Sequence, residues 1–205
     1  MPTTATAQLT RRRTSVPSTL HAGGLVPNRL RVVEYDPGWP GRFAAEAGRI
    51  RAALHDGAPR IEHIGSTAVP GLAAKPIIDM MLVVEDFDAT RPLVRQMEEL
   101  GYRYHGENGI PRRHYFTRED TAGTVTHHLH ALEEGSLEAR KHRLFRDHLR
   151  ANRAARDAYG SLKLRLAAMH ASDRQAYQEG KTGLIERILR DAGWQGDVPS
   201  AERSR

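Results

Sequence analysis

Residues 60–84 constrain the fold of this chain more than any other stretch, because two strand-like runs flank a short connection there. The runs, residues 61–64 and 77–84, have the length and the bulky apolar side chains that favour strands. The connection begins with Gly65 and Ser66. Such a pair at a strand end lets backbone N–H groups approach a phosphate closely. The sequence therefore predicts a phosphate site where the first strand ends.

Asp79 is the acid within the second apolar run. Side chains alternate along a strand, so Asp79 would share a face with Ile77, Met81 and Val83. A carboxylate in an apolar strand is rarely buried without a partner, because its desolvation costs free energy. We expect Asp79 to hold a divalent metal ion or to act in catalysis. The alternative is an aspartate at the sheet end that accepts hydrogen bonds from loop N–H groups.

Three histidines lie close together in T-H-H-L-H at residues 126–130. On a strand, His128 and His130 point to one side, whereas His127 points to the other. Two imidazoles at this spacing can share a metal ion or bind an anion. We therefore predict functional roles for His128 and His130, with hydrogen-bonded structural histidines as the alternative, and a structural role for His127.

The formal net charge of the 205-residue chain is +6, and its distribution argues against a nucleic-acid partner. The first 33 residues hold five arginines and no acid, which leaves 26 basic and 25 acidic residues in the remainder. The remainder of the chain is close to neutral, so its charge does not indicate binding to a nucleic-acid duplex. We interpret the basic start as a disordered tail; the alternatives are an arm for nucleic acid or membrane, or an organellar transit peptide.

Length and composition predict one domain with tails. We assign a disordered tail to residues 1–28, a single domain to residues 29–194 and a frayed tail to residues 195–205. Within the domain, residues 29–135 are expected to form the sheet core and residues 136–194 the C-terminal helices. The chain has no cysteine, which excludes disulfides and thiolate metal sites. No run reaches the roughly 18 apolar residues of a membrane span, so we expect no membrane partner and a cytoplasmic location.

Periodicity and turn residues predict the remaining elements. Helices are expected at residues 39–54 and 88–100, and further strands at residues 102–104, 113–117 and 124–132. Residues 30–35 are expected to form a short strand or an extended lead-in. From residue 136 onward the pattern is helical, with three helices capped by Ser136, Asn152 and Ser172. The third of these helices contains Gly180 and Gly183, either of which could interrupt it.

Several other residues are weaker candidates for an anion site or a metal site. Lys75 could neutralise a phosphate before Asp79, although an exposed loop lysine is the commoner case. Arg113 would face inward if Tyr115 shares its face. Glu62 could be a second acid or the partner of a basic residue. Lys181 precedes a threonine as in a phosphate loop, but the upstream glycine of that motif is missing, so we reject a P-loop.

Five segments resemble the GrpB family, in the order in which that family carries them. They are V-E-Y-D-P-G-W-P at residues 33–40, I-E-H-I-G-S-T-A-V-P-G-L-A-A-K-P-I-I-D at residues 61–79, T-H-H-L-H at residues 126–130, F-R-D-H-L-R at residues 145–150 and E-G-K-T at residues 179–182. The resemblance covers about residues 31–194. It implies a nucleotidyltransferase-like α/β (α+β) fold, with a mixed sheet flanked by helices and a C-terminal helical subdomain.

In that superfamily a Gly-Ser or Gly-Gly pair contacts phosphate, and two acids on the next strand bind metal ions. The resemblance assigns the pair to Gly65 and Ser66 and the first acid to Asp79. Met81 stands where the second acid is expected, and His128 and His130 stand where a later strand would supply a carboxylate. Three arrangements remain open. Mg²⁺ or Mn²⁺ is held by Asp79 with help from Glu62, or a softer, zinc-like ion is held by Asp79 with both histidines, or no metal is used.

The function implied by the resemblance is transfer of a nucleotidyl group from a nucleoside triphosphate to a small-molecule acceptor. Gly65 and Ser66 would hold the β- and γ-phosphates, and Asp79 would orient a divalent cation. His128 and His130 would act as ligands, or as a base and an anion stabiliser. Further phosphate contacts are expected from Thr67, Lys75, Arg113, Arg146 and Lys181. The alternatives are a non-catalytic module that binds a nucleotide or anion, and a metal-dependent enzyme of another class built on Asp79 and the two histidines.

Overall fold

The structure, a computed structural model, describes residues 30–54 and 60–196, and a five-stranded mixed sheet lies at its centre. The strands are β1 Arg60–Ile64, β2 Ile78–Val84, β3 Arg103–Tyr104, β4 Arg113–Glu119 and β5 Val125–Glu133. Their order across the sheet is β1-β2-β5-β4-β3. Strands β2 and β5 are parallel neighbours, and the other pairs are antiparallel. The parallel pairing brings the N-terminal ends of β2 and β5 to the same edge of the sheet, beside the end of β1.

Five α-helices pack around this sheet. They are α1 Trp39–Ala53, α2 Arg91–Glu99, α3 Leu137–Ala151, α4 Arg153–Met169 and α5 Arg174–Asp191. Apolar residues of α1 and α2 bury one face of the sheet, with Met80 and Leu82 of β2 among their contacts. Helices α3, α4 and α5 form a second core with the connection that follows β1, around Leu72 and Tyr159. None of the described helices is long and apolar enough to cross a bilayer.

Apolar side chains cover both faces of β2, and this explains why residue 81 is a methionine. Met81 is fully buried in an apolar cluster with Ile64, Leu132 and Ala139, on the face opposite Met80. An acid at this position would lie among apolar side chains without a cation beside it, which costs several kcal/mol. Methionine therefore serves as a core residue of the sheet.

Most predicted elements are present within one or two residues of their expected bounds. Residues 30–35 form no strand, in agreement with the lead-in alternative, and the segment makes one isolated bridge, between Val33 and Ala74. The cap of α5 is Asp173 rather than Ser172, since the Asp173 carboxylate accepts a hydrogen bond from the N–H of Ala176 at 2.9 Å. The predicted tail at residues 1–28, and all but two residues of the tail at 195–205, lie outside the described residues. The domain bounds stay a prediction.

Helix α5 also continues through both of its glycines. A Cβ atom on Gly180 would lie 2.6 Å from Cδ2 of Leu166 on α4. Glycine is needed here because the two helices approach each other closely, so it allows packing rather than interrupting the helix.

Candidate active site

A cavity of about 470 Å³ lies at the sheet edge where β1 ends and β2 and β5 begin, and side chains of α3, α4 and α5 form its other walls. Gly65 and Ser66 line it on one side, with Asp79 and His128 beside them. The sheet register explains this arrangement: Asp79 of β2 is paired with Ile64 of β1 and with His128 of β5. The structure therefore brings the Gly-Ser pair, the strand acid and the histidine strand into one place.

Gly65 has a backbone conformation that is close to glycine-only, with φ 68° and ψ −168°. A Cβ atom at this position would lie 2.4 Å from Oδ2 of Asp79. The missing side chain lets the carboxylate lie directly against the turn, and a short 3-10 helix, Ser66–Ala68, starts from it. The glycine is thus required by backbone geometry and by the position of the acid.

Asp79 and His128 form a hydrogen-bonded pair that faces the cavity. Nδ1 of His128 donates to Oδ1 of Asp79 at 2.9 Å, and the two side chains are 24% and 27% exposed. A carboxylate on Nδ1 fixes the imidazole tautomer, so Nε2 is left without a proton. This arrangement equips His128 to accept a proton from a bound hydroxyl group.

His130 lies on the same face but has a different environment. It is buried, and Nδ1 accepts a hydrogen bond from the Arg113 guanidinium at 3.3 Å. Burial, together with the neighbouring His142 and Arg113, holds the pKa of His130 well below its usual range. His130 is therefore neutral, and its neutrality lets it lie beside a cation.

The guanidinium group of Arg113 is occupied by hydrogen bonds within the protein. Its guanidinium donates to the backbone carbonyl oxygens of Glu107 and Asn108 at 2.7–3.1 Å. Arg113 lines the cavity, as an inward-facing residue beside Tyr115 should. Its contacts with the loop make it a support for the cavity wall.

The most unusual property of the cavity is its lysine content. The chain has 31 lysine and arginine residues, of which four are lysines, and all four line this cavity. They are Lys75, Lys141, Lys163 and Lys181. Arginine is the basic residue everywhere else. A lysine differs from an arginine in being a compact charge whose pKa shifts readily on burial, and a cavity lined in this way has the charge that an anion needs.

Three of these lysines have no carboxylate partner among the described residues. Nζ of Lys163 lies 2.8 Å from Oγ of Ser66, and 4.6 Å from the ring centre of Tyr159. The ammonium groups of Lys75 and Lys181 both lie over the ring of Tyr177, at 5.0 and 4.5 Å. Aromatic faces and a hydroxyl group therefore take the place of counter-ions in this part of the cavity.

Burial lowers the pKa of all three lysines. The pKa of Lys163 falls to about 7, with repulsion from Lys181 as a further cause. The pKa values of Lys75 and Lys181 fall to about 8, and Lys75 adds to the shift of Lys181. Charges that are costly without a counter-ion become favourable when an anion binds between them.

The sequence analysis missed Lys163, although two signals were available. Lys163 lies four residues after Tyr159 and three before Leu166, on the inward face of α4. A lysine on an apolar stripe indicates a partner or a ligand. The scarcity of lysine in the whole chain is the second signal.

We expect Lys163→Met to stabilise the empty protein near neutral pH. The folded state holds the pKa of Lys163 near 7, against an ordinary value of 10.5. The unfolded chain thus binds this proton more tightly, and the destabilisation is complete below pH 7 and fades as the pH rises towards 10.5. Thermal unfolding should show a gain of about 2 kcal/mol, or roughly 6 °C in Tm, near pH 6.5 and little gain near pH 10.

Lys141→Met is the matched control for this change, because Lys141 is paired with Glu138. The control should give no gain in Tm. A gain from Lys163→Met that is equal at both pH values would contradict the assigned cause.

Three sequence-predicted site residues do not line the cavity. Glu62 accepts from Arg143 and Arg146, at 3.0 and 3.1 Å, on the outer side of β1. Arg146 also pairs with Asp147 at 2.7 Å. Thr67 is buried, contacts Nε2 of His63 at 3.0 Å and donates to the carbonyl oxygen of Ile77 at 3.2 Å. These contacts occupy the side chains that were expected to bind metal or phosphate.

The cavity does not fit the two-magnesium site that the resemblance implies. Asp79 is the one carboxylate in its lining, and Mg²⁺ requires oxygen ligands. Within residues 30–54 and 60–196, no three histidine, aspartate or glutamate side chains are grouped so as to hold a metal ion. Glu62 is paired with Arg143 and Arg146, and His130 faces a guanidinium group. The lysines supply the positive charge that metal ions would otherwise bring.

Comparisons with known proteins agree with this geometry. The model of the family described as GrpB protein matches residues 29–191. A UPF0157 protein of Pseudomonas aeruginosa is 41% identical over 164 residues, which are 79% of this chain and 67% of that protein. The crystal structure of the conserved protein GrpB from Enterococcus faecalis superposes with a TM-score of 0.73 at 37% identity, over 79% of this chain and 96% of that one.

A more distant likeness concerns the fold alone. Terminal uridylyl transferase 4 from Trypanosoma brucei, solved with bound dUTP, superposes with a TM-score of 0.50 at 14% identity, over 82% of this chain and 58% of that one. The mixed sheet with its flanking helices is therefore shared with nucleotidyltransferases.

Proposed function

The chain belongs to the GrpB family and has a nucleotidyltransferase-like fold, and we propose that it is an enzyme that transfers a nucleotidyl group from a nucleoside triphosphate to a small-molecule hydroxyl. The observation that carries this proposal is the gathering of all four lysines in the cavity that holds Gly65, Ser66, Asp79 and His128. A cavity of this volume is of the size that holds a small ligand.

The positive charges of the lysines favour a ligand with several negative charges. Lys75, Lys163 and Lys181 line the same cavity as the Gly-Ser turn, and a triphosphate carries the several negative charges that these ammonium groups need. The backbone N–H groups of the turn and the Ser66 hydroxyl add neutral hydrogen-bond partners. The polyphosphate of the substrate is therefore the group that we place in this part of the cavity.

The chemistry of the proposal starts at His128. The acceptor hydroxyl gives its proton to Nε2 of His128, and its oxygen attacks the α-phosphorus. Asp79 keeps Nδ1 of His128 protonated and stabilises the imidazolium that forms. The lysines hold the leaving pyrophosphate and neutralise its developing charge. No step requires a protein-held metal ion, and metal assistance stays a prediction.

The test is a titration with nucleoside triphosphates, with and without Mg²⁺, Mn²⁺ or Zn²⁺, in which pyrophosphate release is followed with a pool of small acceptors. Release that depends on the acceptor supports the proposal. Tight binding without turnover would identify a non-catalytic module instead. Turnover that needs metal but no nucleotide would identify a metal-dependent enzyme of another class.

The proposal predicts a pH dependence of triphosphate binding. Lys163 has a pKa of about 7, and Lys75 and Lys181 have pKa values of about 8, so all three lose protons as the pH rises. The second pKa of a terminal phosphate is near 6, so the ligand is already ionised. Affinity should fall about tenfold or more between about pH 7 and about pH 9, and binding near pH 8 should take up protons.

Calorimetry in two buffers of different ionisation enthalpy measures this uptake directly. Lys181→Gln should reduce it. Arg187→Gln, which removes an exposed positive charge from the same helix, should leave it unchanged. Affinity that is constant over this pH range, with no proton uptake, would remove the lysines from the binding site.

A further inference from the structure

Ser66 and Lys163 form a buried hydroxyl–amine pair to which the proposed reaction assigns only phosphate binding. Lys163 is 3% exposed, and Nζ lies 2.8 Å from Oγ of Ser66. Among the described residues the amine makes no ion pair with a carboxylate, and it lies over the ring of Tyr159. A phosphate-binding lysine needs no hydroxyl partner, whereas a hydroxyl that is to react as a nucleophile needs an adjacent base.

The surroundings of Lys163 favour the neutral amine. Burial and the charge of Lys181 together lower its pKa to about 7, while the charge of Asp79 acts in the opposite direction. A large fraction of the amine is thus unprotonated at neutral pH. An unprotonated Nζ at 2.8 Å can accept the hydrogen of the Ser66 hydroxyl.

We propose that Ser66 is a self-phosphorylation site. Oγ of Ser66 attacks the terminal phosphorus of a bound nucleoside triphosphate and forms a new O–P bond. The bond between this phosphorus and the oxygen that bridges to the β-phosphate breaks, and nucleoside diphosphate leaves with the electron pair. The proton of Oγ passes to Nζ of Lys163. This inference rests on the proposed function only in requiring that the cavity binds a nucleoside triphosphate.

Charge places the terminal phosphate at Ser66. The γ-phosphate carries more negative charge than the α- or β-phosphate, and it is drawn to the densest group of cations. Ser66 lies in the cavity that also holds the ammonium groups of Lys75 and Lys181, and the charge of Lys181 acts on Lys163 beside Ser66. The Ser66 hydroxyl is therefore adjacent to the terminal phosphate and away from the α-phosphate.

The product fits the same cavity. A phosphoserine at position 66 would be a dianion held by Lys163 and its neighbours, and it would occupy the place of the γ-phosphate. Phosphorylated protein should therefore bind a further nucleoside triphosphate weakly. The modification would slow nucleotidyl transfer, and the fraction of modified protein would depend on the concentration of the nucleoside triphosphate.

The experiment compares two labels on the full chain. Protein is incubated with ATP, GTP, CTP or UTP labelled on the γ- or the α-phosphate, and the modified residue is located by mass spectrometry. We expect label from the γ-position only, one phosphate per chain, on Ser66. Ser66→Ala should lose the label, and Ser161→Ala, an exposed serine on α4, should keep it.

The Lys163→Arg variant tests whether Lys163 acts as a base or only as a positive charge. Arginine keeps the charge but cannot accept the proton at this pH. This variant should still bind nucleotide, as a ligand-induced rise in Tm, while the labelling rate falls at least about a hundredfold. The wild-type rate should rise with pH and then level off, at a pH above the pKa of about 7 of the empty protein because the bound triphosphate favours the ammonium form, and this rise should be absent in the variant.

The outcomes distinguish the two proposals. Pyrophosphate release without label on Ser66 would overturn self-phosphorylation and leave nucleotidyl transfer intact. Label on Ser66 from the α-position, or label on another residue, would also overturn it. Labelling of Ser66 without pyrophosphate release would support it and overturn the transfer reaction. A protein that binds no nucleoside triphosphate would overturn both.

Discussion

Asp79→Asn is expected to lower the turnover number for nucleotidyl transfer by about a thousandfold or more, with a small change in KM. The substitution keeps the shape of the side chain but removes its charge. The asparagine amide can donate to Nδ1 of His128, which would place the imidazole proton on Nε2. That tautomer cannot accept the proton of the acceptor hydroxyl. The imidazolium would also lose the carboxylate that now lies 2.9 Å from Nδ1.

Pyrophosphate release over a range of triphosphate concentrations measures this effect. Asp191→Asn, an exposed aspartate at the end of α5, removes the same charge far from the Asp79–His128 pair and should leave turnover unchanged. An Asp79→Asn enzyme with unaltered turnover would show that His128 is not the base. A loss of affinity alone would assign Asp79 to binding.

Gly65→Ala is expected to be the most damaging single substitution for both stability and activity. An alanine would have to hold φ 68° and ψ −168°, which costs about 1–3 kcal/mol in a non-glycine residue. Its Cβ atom would also meet Oδ2 of Asp79 at 2.4 Å and Cγ at 2.9 Å. Either the turn or the Asp79–His128 pair must move. We expect a loss of about 3 kcal/mol or more in the free energy of unfolding, and no measurable transfer.

Urea unfolding and pyrophosphate release test the two consequences separately. Gly48→Ala is the matched control, because Gly48 lies inside α1 and an added Cβ atom would meet nothing within 4 Å. The control should stabilise the protein by roughly 0.5–1 kcal/mol, since alanine favours the helix. If both substitutions changed stability by similar small amounts, the assigned strain at Gly65 would be absent.

These two residues belong to the part of the site that the sequence predicted. Gly65 and Asp79 lie in the central motif, and alternation along β2 and β5 placed Asp79, His128 and His130 on one side of their strands. What could not be predicted was which strands would be neighbours. The parallel pairing of β2 with β5 joins residues 49 positions apart in the chain, and the hydrogen bond between Asp79 and His128 depends on it.

The charged residues show more clearly which features the sequence predicted and which depended on the tertiary structure. Arg146 and Glu62 were candidates for a site by residue type, yet they neutralise each other outside the cavity. Lys163 was not a candidate, yet it is the most buried of the lysines in the cavity. Residue type and spacing do not determine which opposite charges meet. Pairing between distant charges follows from how the helices pack, and that packing depends on the whole apolar pattern.

The sequence by itself determined the family, the strands and helices, and the glycine turn that ends β1. These features are set within short windows, where propensity, periodicity and the steric needs of one residue act locally. Only the tertiary structure decided that Lys163 lies 2.8 Å from Ser66, a contact across 97 positions of the chain. Burial then lowers the pKa of this lysine. The cause is desolvation, which depends on the packing around a side chain and not on its neighbours in the sequence.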